Sequence, residues 1–225
     1  RVRHILQCDA GKRGADRGID LVPIAAHRAQ GFDFAIAFRT IDAGGEQKDT
    51  AANDLSAFSR ADPEIAGPLA RWRDAYPQSA APHLALGLYG VHIGWTVRGG
   101  KSSPYTNRER FKEMVRYFDA AAKSLRSAVA LRPKTAIAWA WLVNIAKVTS
   151  DYVSAASLFD EAVVHVPASS EIYWEYHDAL SSKWGGPIGE QIKLTLRIKF
   201  LFPGNSDFAW VDQVDQRDWA WALFR

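Results

Sequence analysis

Six histidines, one cysteine and a C-terminal run of aspartates are the residues whose types could carry chemistry. His83 and His92 fall on roughly one side of a helix but about two and a half turns apart, too far to share one metal ion. No thiol or carboxylate completes a ligand set beside them, so a buried or rim histidine is the simpler reading. Asp212, Asp215 and Asp218 share a face by i, i+3 spacing, and a solvated acidic face explains them without metal binding or catalysis. Cys8 stands in a polar, Gly-rich stretch. A reactive thiol needs a base and electropositive surroundings, and His4, close only in sequence, does not supply them in a loose arm. Gly11-Lys12-Arg13-Gly14 is too short for a phosphate loop, and neither His-Glu-x-x-His nor Gly-x-Ser-x-Gly occurs. The expectation is therefore no catalytic residue, no metal and no cofactor.

The charge pattern points to recognition instead. The net charge is only +3, but Arg98, Lys101, Arg108, Arg110, Lys112 and Arg116 crowd one stretch against Glu109 and Glu113. That stretch holds a basic Gly/Ser/Pro segment, Arg98 to Asn107, placed as a loop inside an insertion from Trp95 to about Phe111. Long loops carry function or simply move. Arg98, Lys101, Tyr105, Arg108 and Arg110 are its candidate contacts, suited to an acidic partner or a terminal carboxylate. A nucleic-acid binder would show a broader basic face, so no nucleic acid is expected.

What must position these residues is a helical array. At 225 residues and 48% apolar content the chain can bury a core, and it is too apolar for a disordered segment. One Cys excludes an intramolecular disulfide framework. No run reaches the roughly 18 apolar residues of a membrane span, so a soluble protein is expected, in cytoplasm or periplasm. The start at Arg1 rather than Met suggests a processed or trimmed form. The nine Trp are the compositional oddity.

Spacing accounts for much of that surplus. Ala-Val-Ala-Leu-Arg-Pro133, Ala-Val-Val-His-Val-Pro167 and Arg-Ile-Lys-Phe-Leu-Phe-Pro203 place prolines 34 and then 36 residues apart. An aromatic follows each at nearly constant offset: Trp139, then Tyr173 and Trp174, then Trp210. Asp74-Ala75-Tyr76-Pro77 lies 56 residues before Pro133, which is one unit plus a 22-residue insertion. A period of 34 residues is that of the tetratricopeptide repeat. In the central unit Trp139, Leu142, Ala155, Phe159, Ala162 and Pro167 fall on its pattern; Val143 and Ala146 depart from it. The preceding unit matches with Leu86, Gly87, Ala121, Leu125, Ala128 and Pro133, with His83 at the aromatic position. The following unit keeps Tyr173 and Tyr176 and turns at Lys183-Trp184-Gly185-Gly186-Pro187. Its small positions hold Gln191 and Thr195 instead.

On these residues the chain resembles the tetratricopeptide-repeat superfamily over roughly Tyr76 to Pro203. Trp72-Arg73-Asp74-Ala75-Tyr76-Pro77-Gln78-Ser79, Arg98-Gly99-Gly100 and Lys183-Trp184-Gly185-Gly186 also resemble a bacterial helical family that is a domain of unknown function. The resemblance implies fold and bacterial origin, and no chemistry. The expected fold is all-α, a tetratricopeptide-like stack of antiparallel helix hairpins (an α-α superhelix). A polar arm, 1–18, precedes a single domain, 19–225. That domain comprises N-terminal helices 19–76, with Pro63 and Pro68 as interruptions, and a repeat with insertion, 77–133. A repeat, 134–167, a degenerate repeat, 168–203, and a capping helix, 204–225, complete it. Helix one of each hairpin then lines a groove with Leu84, Leu88, Asn144, Lys147, Glu171, Trp174, Asp178, Trp210 and Arg217. Trp and Arg are typical binding hot spots, although Trp174 and Trp210 could equally pack between repeats.

The resulting expectation is a non-catalytic protein-interaction module holding a partner protein or peptide. One form of it is a bacterial immunity or adaptor protein for a secreted toxin. Two alternatives stand beside it: an enzyme with its site at the Arg-Gly-Gly insertion, using His92 or Tyr105, and a scaffold that self-associates through the Trp-rich C-terminal helix, including Trp219 and Trp221.

Overall fold

Four prolines punctuate the chain in the same way. The structure, a computed structural model, is described for residues 62–101, 105–149 and 152–214. Within them lie α1 (Ala66–Ala75), α2 (Ala80–Arg98), α3 (Arg108–Leu131), α4 (Ala136–Thr149), α5 (Tyr152–His165), α6 (Ser170–Ala179) and α7 (Ile188–Leu201). Helices α1, α3, α5 and α7 each end two residues before a proline, at Pro77, Pro133, Pro167 and Pro203. Proline disfavours helical backbone in the residue before it, so the helix has to stop there. Two residues beyond each proline stands a small polar residue: Ser79, Thr135, Ser169 or Asn205. The Ser79, Ser169 and Asn205 side chains accept backbone N–H groups of the next turn at 3.3, 3.5 and 2.9 Å. The Thr135 hydroxyl donates back to the Arg132 carbonyl at 2.8 Å. The stop is thus written locally four times over, and the restart by a side-chain cap three times.

The same turn is tied by a ring nitrogen in two units. Trp139 Nε1 donates to the Pro133 carbonyl at 2.7 Å, and His83 Nε2 lies 3.1 Å from the Pro77 carbonyl. His83 therefore ties its turn as Trp139 ties the next.

The helices pair as hairpins, α2 with α3 and α4 with α5, and successive hairpins pack on one another. No strand occurs among the described residues. Close approach in the first hairpin depends on Gly87, Gly90 and Gly94 along one side of α2. A Cβ on Gly87 would fall 2.5 Å from the Leu125 side chain, and one on Gly94 2.6 Å from the Phe118 ring. In the second hairpin Ala155 and Ala162 do the same work, with Trp139, Leu142 and Phe159 buried around them. Phe159 stacks on Tyr176 at 4.3 Å and meets Tyr173 edge-on, carrying the core into the third unit. There Gln191 and Thr195 are buried rather than open. Thr195 Oγ1 lies 3.0 Å from His177 Nε2, and Gln191 Nε2 donates to the His177 carbonyl at 3.3 Å. Polar contacts replace small apolar ones in that wedge, which is why the repeat pattern fades.

The loop expected over Arg98 to Asn107 falls where the sequence placed it, between α2, which ends at Arg98, and α3, which begins at Arg108. Most of the added residues lengthen the hairpin, and Trp95 packs edge-on against Phe118 at 5.4 Å. Two other expectations need correction. Pro68 does not interrupt α1, since it sits in the first turn, where a missing N–H leaves no bond unmade. Helix α2 is buried almost all round. Leu84 and Leu88 therefore belong to the core and do not line a groove.

The polar arm, most of the expected N-terminal helices, Cys8, His4, Asp215, Asp218, Trp219 and Trp221 lie outside the described residues. Among those described, no helix is long and apolar enough to cross a membrane.

Candidate functional site

Helix α6 is ten residues long and has two faces. Ile172, Tyr173 and Ala179 go into the core, and Ser169 caps its first turn. The i, i+3, i+4, i+7 spacing leaves Glu171, Trp174, Glu175 and Asp178 along one side. Helix α4 contributes Asn144 and Lys147 to the same place.

Lys147 is the centre of the arrangement. Its side chain is only 5% exposed, and its Nζ stands 2.8 Å from Glu175 Oε2 and 2.7 Å from Asp178 Oδ2. Asn144 Nδ2 donates to the same Glu175 oxygen at 2.8 Å. Trp184 Nε1 donates to the same Asp178 oxygen at 2.9 Å. The Trp184 ring has Lys147 Nζ 5.4 Å and Lys183 Nζ 4.8 Å from its centre. Two carboxylates thus neutralise one buried ammonium, and each accepts a second hydrogen bond, which is what a buried ion pair requires. One polar atom is left over: Asn144 Oδ1 is buried without a partner.

The turn after α6 places Trp184, and its two glycines serve different ends. Gly185 has φ +79°, a left-handed conformation that glycine adopts freely. Gly186 has ordinary φ, but a Cβ there would fall 2.4 Å from the Leu180 backbone. The Lys183-Trp184-Gly185-Gly186 phrase therefore aims the indole at Asp178.

Beside this cluster Trp174 and Trp210 meet edge-to-face, their centres 4.9 Å apart. Trp210 is half-buried; its Nε1 donates to Ser170 Oγ at 2.9 Å, and the Ser170 hydroxyl donates in turn to the Asp207 carbonyl. His177 closes on Trp210 at 5.4 Å. Trp174 is 41% exposed. Of the two tryptophans, then, Trp210 is largely packing and Trp174 is open. Glu171 is exposed, with its carboxylate accepting from the Ser169 hydroxyl at 2.8 Å. Tyr173, on the core side, has its hydroxyl pushed above the ordinary value of 10.0 by burial, against an opposing effect of Arg197.

Asn144, Lys147, Glu171, Trp174, Asp178 and Trp210 thus come to one region of the stack, and Arg217 lies outside the described residues. Glu175 and Trp184 complete the cluster and are not among the sequence candidates. The signal for Glu175 is its place four residues after Glu171 and three before Asp178, on the shared face of α6. At the insertion, Arg98 is folded back. Its guanidinium lies 5.6 Å from the Trp95 ring centre and donates to the Gly99 carbonyl at 3.1 Å. Lys101, Tyr105, Arg108 and Arg110 are exposed. Among the described residues no three His, Cys, Asp or Glu side chains are grouped to hold a metal ion. A cleft of about 310 Å³ lies apart from the cluster, between α7 and the turn after it, lined by Ile198, Phe202, Phe208 and Val211.

A family model described as a domain of unknown function, DUF4034, matches residues 33–183, more than half of the chain. The match includes the α4 and α6 residues of the cluster and stops one residue short of Trp184. No curated protein and no solved structure matches.

Proposed function

The chain belongs to the DUF4034 family, and from that premise we propose that it is a tetratricopeptide-like, non-catalytic interaction module holding a segment of a partner protein against α4 and α6. The observation that carries the reading is Trp174. It is a large aromatic left open on a rigid helix, braced edge-on by Trp210 and flanked by carboxylates. Exposed aromatics held by a packed scaffold are the residues that dominate binding energy at interfaces. The role we attach to the module, from the bacterial resemblance alone, is a neutralising or adaptor partner of a secreted toxin. The enzyme alternative at the insertion has no comparable support, since Arg98 is engaged within its own helix end.

Trp174→Ala should weaken binding of the native partner by about tenfold or more, with helical circular dichroism unchanged. Affinity is measured against the partner recovered by crosslinking in the native host. Wild-type affinity in the variant would refute the reading. Lys147→Ala is a poor companion variant, because it opens a buried ion pair as well as the binding face.

A second reading, self-association, has its own observation. On α7 Leu196 and Phe200 stand one turn apart, and Phe200 is 83% exposed. If this face joins two copies, sedimentation equilibrium gives a mass that rises with concentration, and Phe200→Asp abolishes the rise. A monomer at high concentration disposes of it.

A further inference from the structure

We infer that the α4–α6 face takes a cationic segment, one presenting an arginine side chain; this rests on the interaction-module reading and specifies its partner. The first ground is charge. Glu171, Glu175 and Asp178 share the face, and the buried cation among them, Lys147, already serves two of them. Glu175 accepts both of its bonds through Oε2, and Asp178 both of its bonds through Oδ2. Each keeps its other carboxylate oxygen for an incoming donor, and both side chains are partly open, 18% and 34% exposed.

The second ground is independent of charge. Asn144 is buried, its Nδ2 is bound to Glu175, and its Oδ1 has no donor. An orphaned acceptor in such a place is costly, so a further acceptor brought against the cluster finds no free donor at Asn144. An acidic segment would bring more acceptors. A guanidinium brings donors only, five of them in a plane.

The third ground selects arginine over lysine. Trp184 already has two ammonium groups near its ring, so Trp174 is the indole left for an incoming cation. A guanidinium can lie flat on an indole and fork onto a carboxylate at once, and Trp174 and Asp178 stand one turn apart on the same face of α6. A compact, strongly hydrated ammonium does this less well.

The test is calorimetric titration of the full chain with three acetylated, amidated hexapeptides, in which glycine alternates with arginine, lysine or glutamate. The arginine peptide should bind about tenfold or more tighter than either of the others. Trp174→Ala and Asp178→Asn should each weaken it by about tenfold, with helical circular dichroism unchanged. Glu175→Gln serves as a second carboxylate variant if Asp178→Asn perturbs folding. Preference for the glutamate peptide, lost in Trp174→Ala, would overturn the cationic assignment and leave the interaction face standing. Equal binding of arginine and lysine peptides would overturn the choice of arginine. Arginine binding indifferent to the variants, or no binding of any peptide, would overturn the inference as a whole. The interaction-module reading stands or falls separately, on the native partner's response to Trp174→Ala.

Discussion

Trp139→Ala lowers the unfolding free energy by about 3–5 kcal/mol, the range for emptying a buried aromatic site. The indole is 2% exposed and fills the wedge of the central hairpin. It stacks on His165 from α5, with ring centres 5.8 Å apart, so truncation takes contacts from both helices. It also ties the entering turn through the Nε1 bond to the Pro133 carbonyl. These parts separate experimentally. Trp139→Phe keeps most of the ring and removes the hydrogen bond, so it should cost about 1 kcal/mol from that bond plus a smaller packing loss. Urea unfolding followed by circular dichroism measures both variants. An alanine variant within about 1 kcal/mol of wild type would mean that the wedge collapses around the gap, contrary to the packing described.

The second large effect concerns Lys147. Lys147→Met keeps the length of the side chain and removes its charge. Glu175 and Asp178 are then left near one another without a counter-ion. Breaking a buried pair by removing one partner costs about 3–5 kcal/mol, but both carboxylates here are partly solvated, so about 2–3 kcal/mol is expected. The decisive comparison is the triple variant Lys147→Met, Glu175→Gln, Asp178→Asn. If the loss reflects uncompensated charge, neutralising the carboxylates recovers most of it. If it reflects lost packing around the lysine stem, the triple variant stays as unstable as the single one. Urea midpoints at neutral pH distinguish the outcomes, and a stable single variant would show that the pair contributes little.

Much of the fold was legible because its rules are local. The Pro77, Pro133, Pro167 and Pro203 stops act on the residues immediately before them. The caps two residues later act on the turn immediately after them. The aromatic and small-residue spacing of the central unit reads directly as Trp139 and Phe159 against Ala155 and Ala162. Gly, Ser and Pro between Arg98 and Asn107 likewise mark the loop that joins α2 to α3. Gly90 and Gly94, one and two turns beyond Gly87, would have shown that this hairpin stays close along its added length.

The site was legible in a different degree. Asn144, Lys147, Glu171, Trp174 and Asp178 were placed on one face by repeat register. That register also put Leu84 and Leu88 in the groove, because it assumes every unit has the same neighbours. Helix α2 is instead packed by α1 as well as by α3 and α4. The partners of Lys147 lie 28 and 31 residues further along the chain. Spacing on α6 puts Glu175 and Asp178 on one face, but not which helix that face meets.

By itself, then, the sequence determined the hairpins, their boundaries and the residues that hold each pair together. Those depend on backbone stops, caps and contacts one or two turns apart. Only the tertiary structure decided which first-helix residues are buried, which lysine is neutralised, and that Trp174 stays open while Trp210 is packed. Exposure and ion pairing depend on elements distant in sequence coming into contact, and no local pattern encodes that distance.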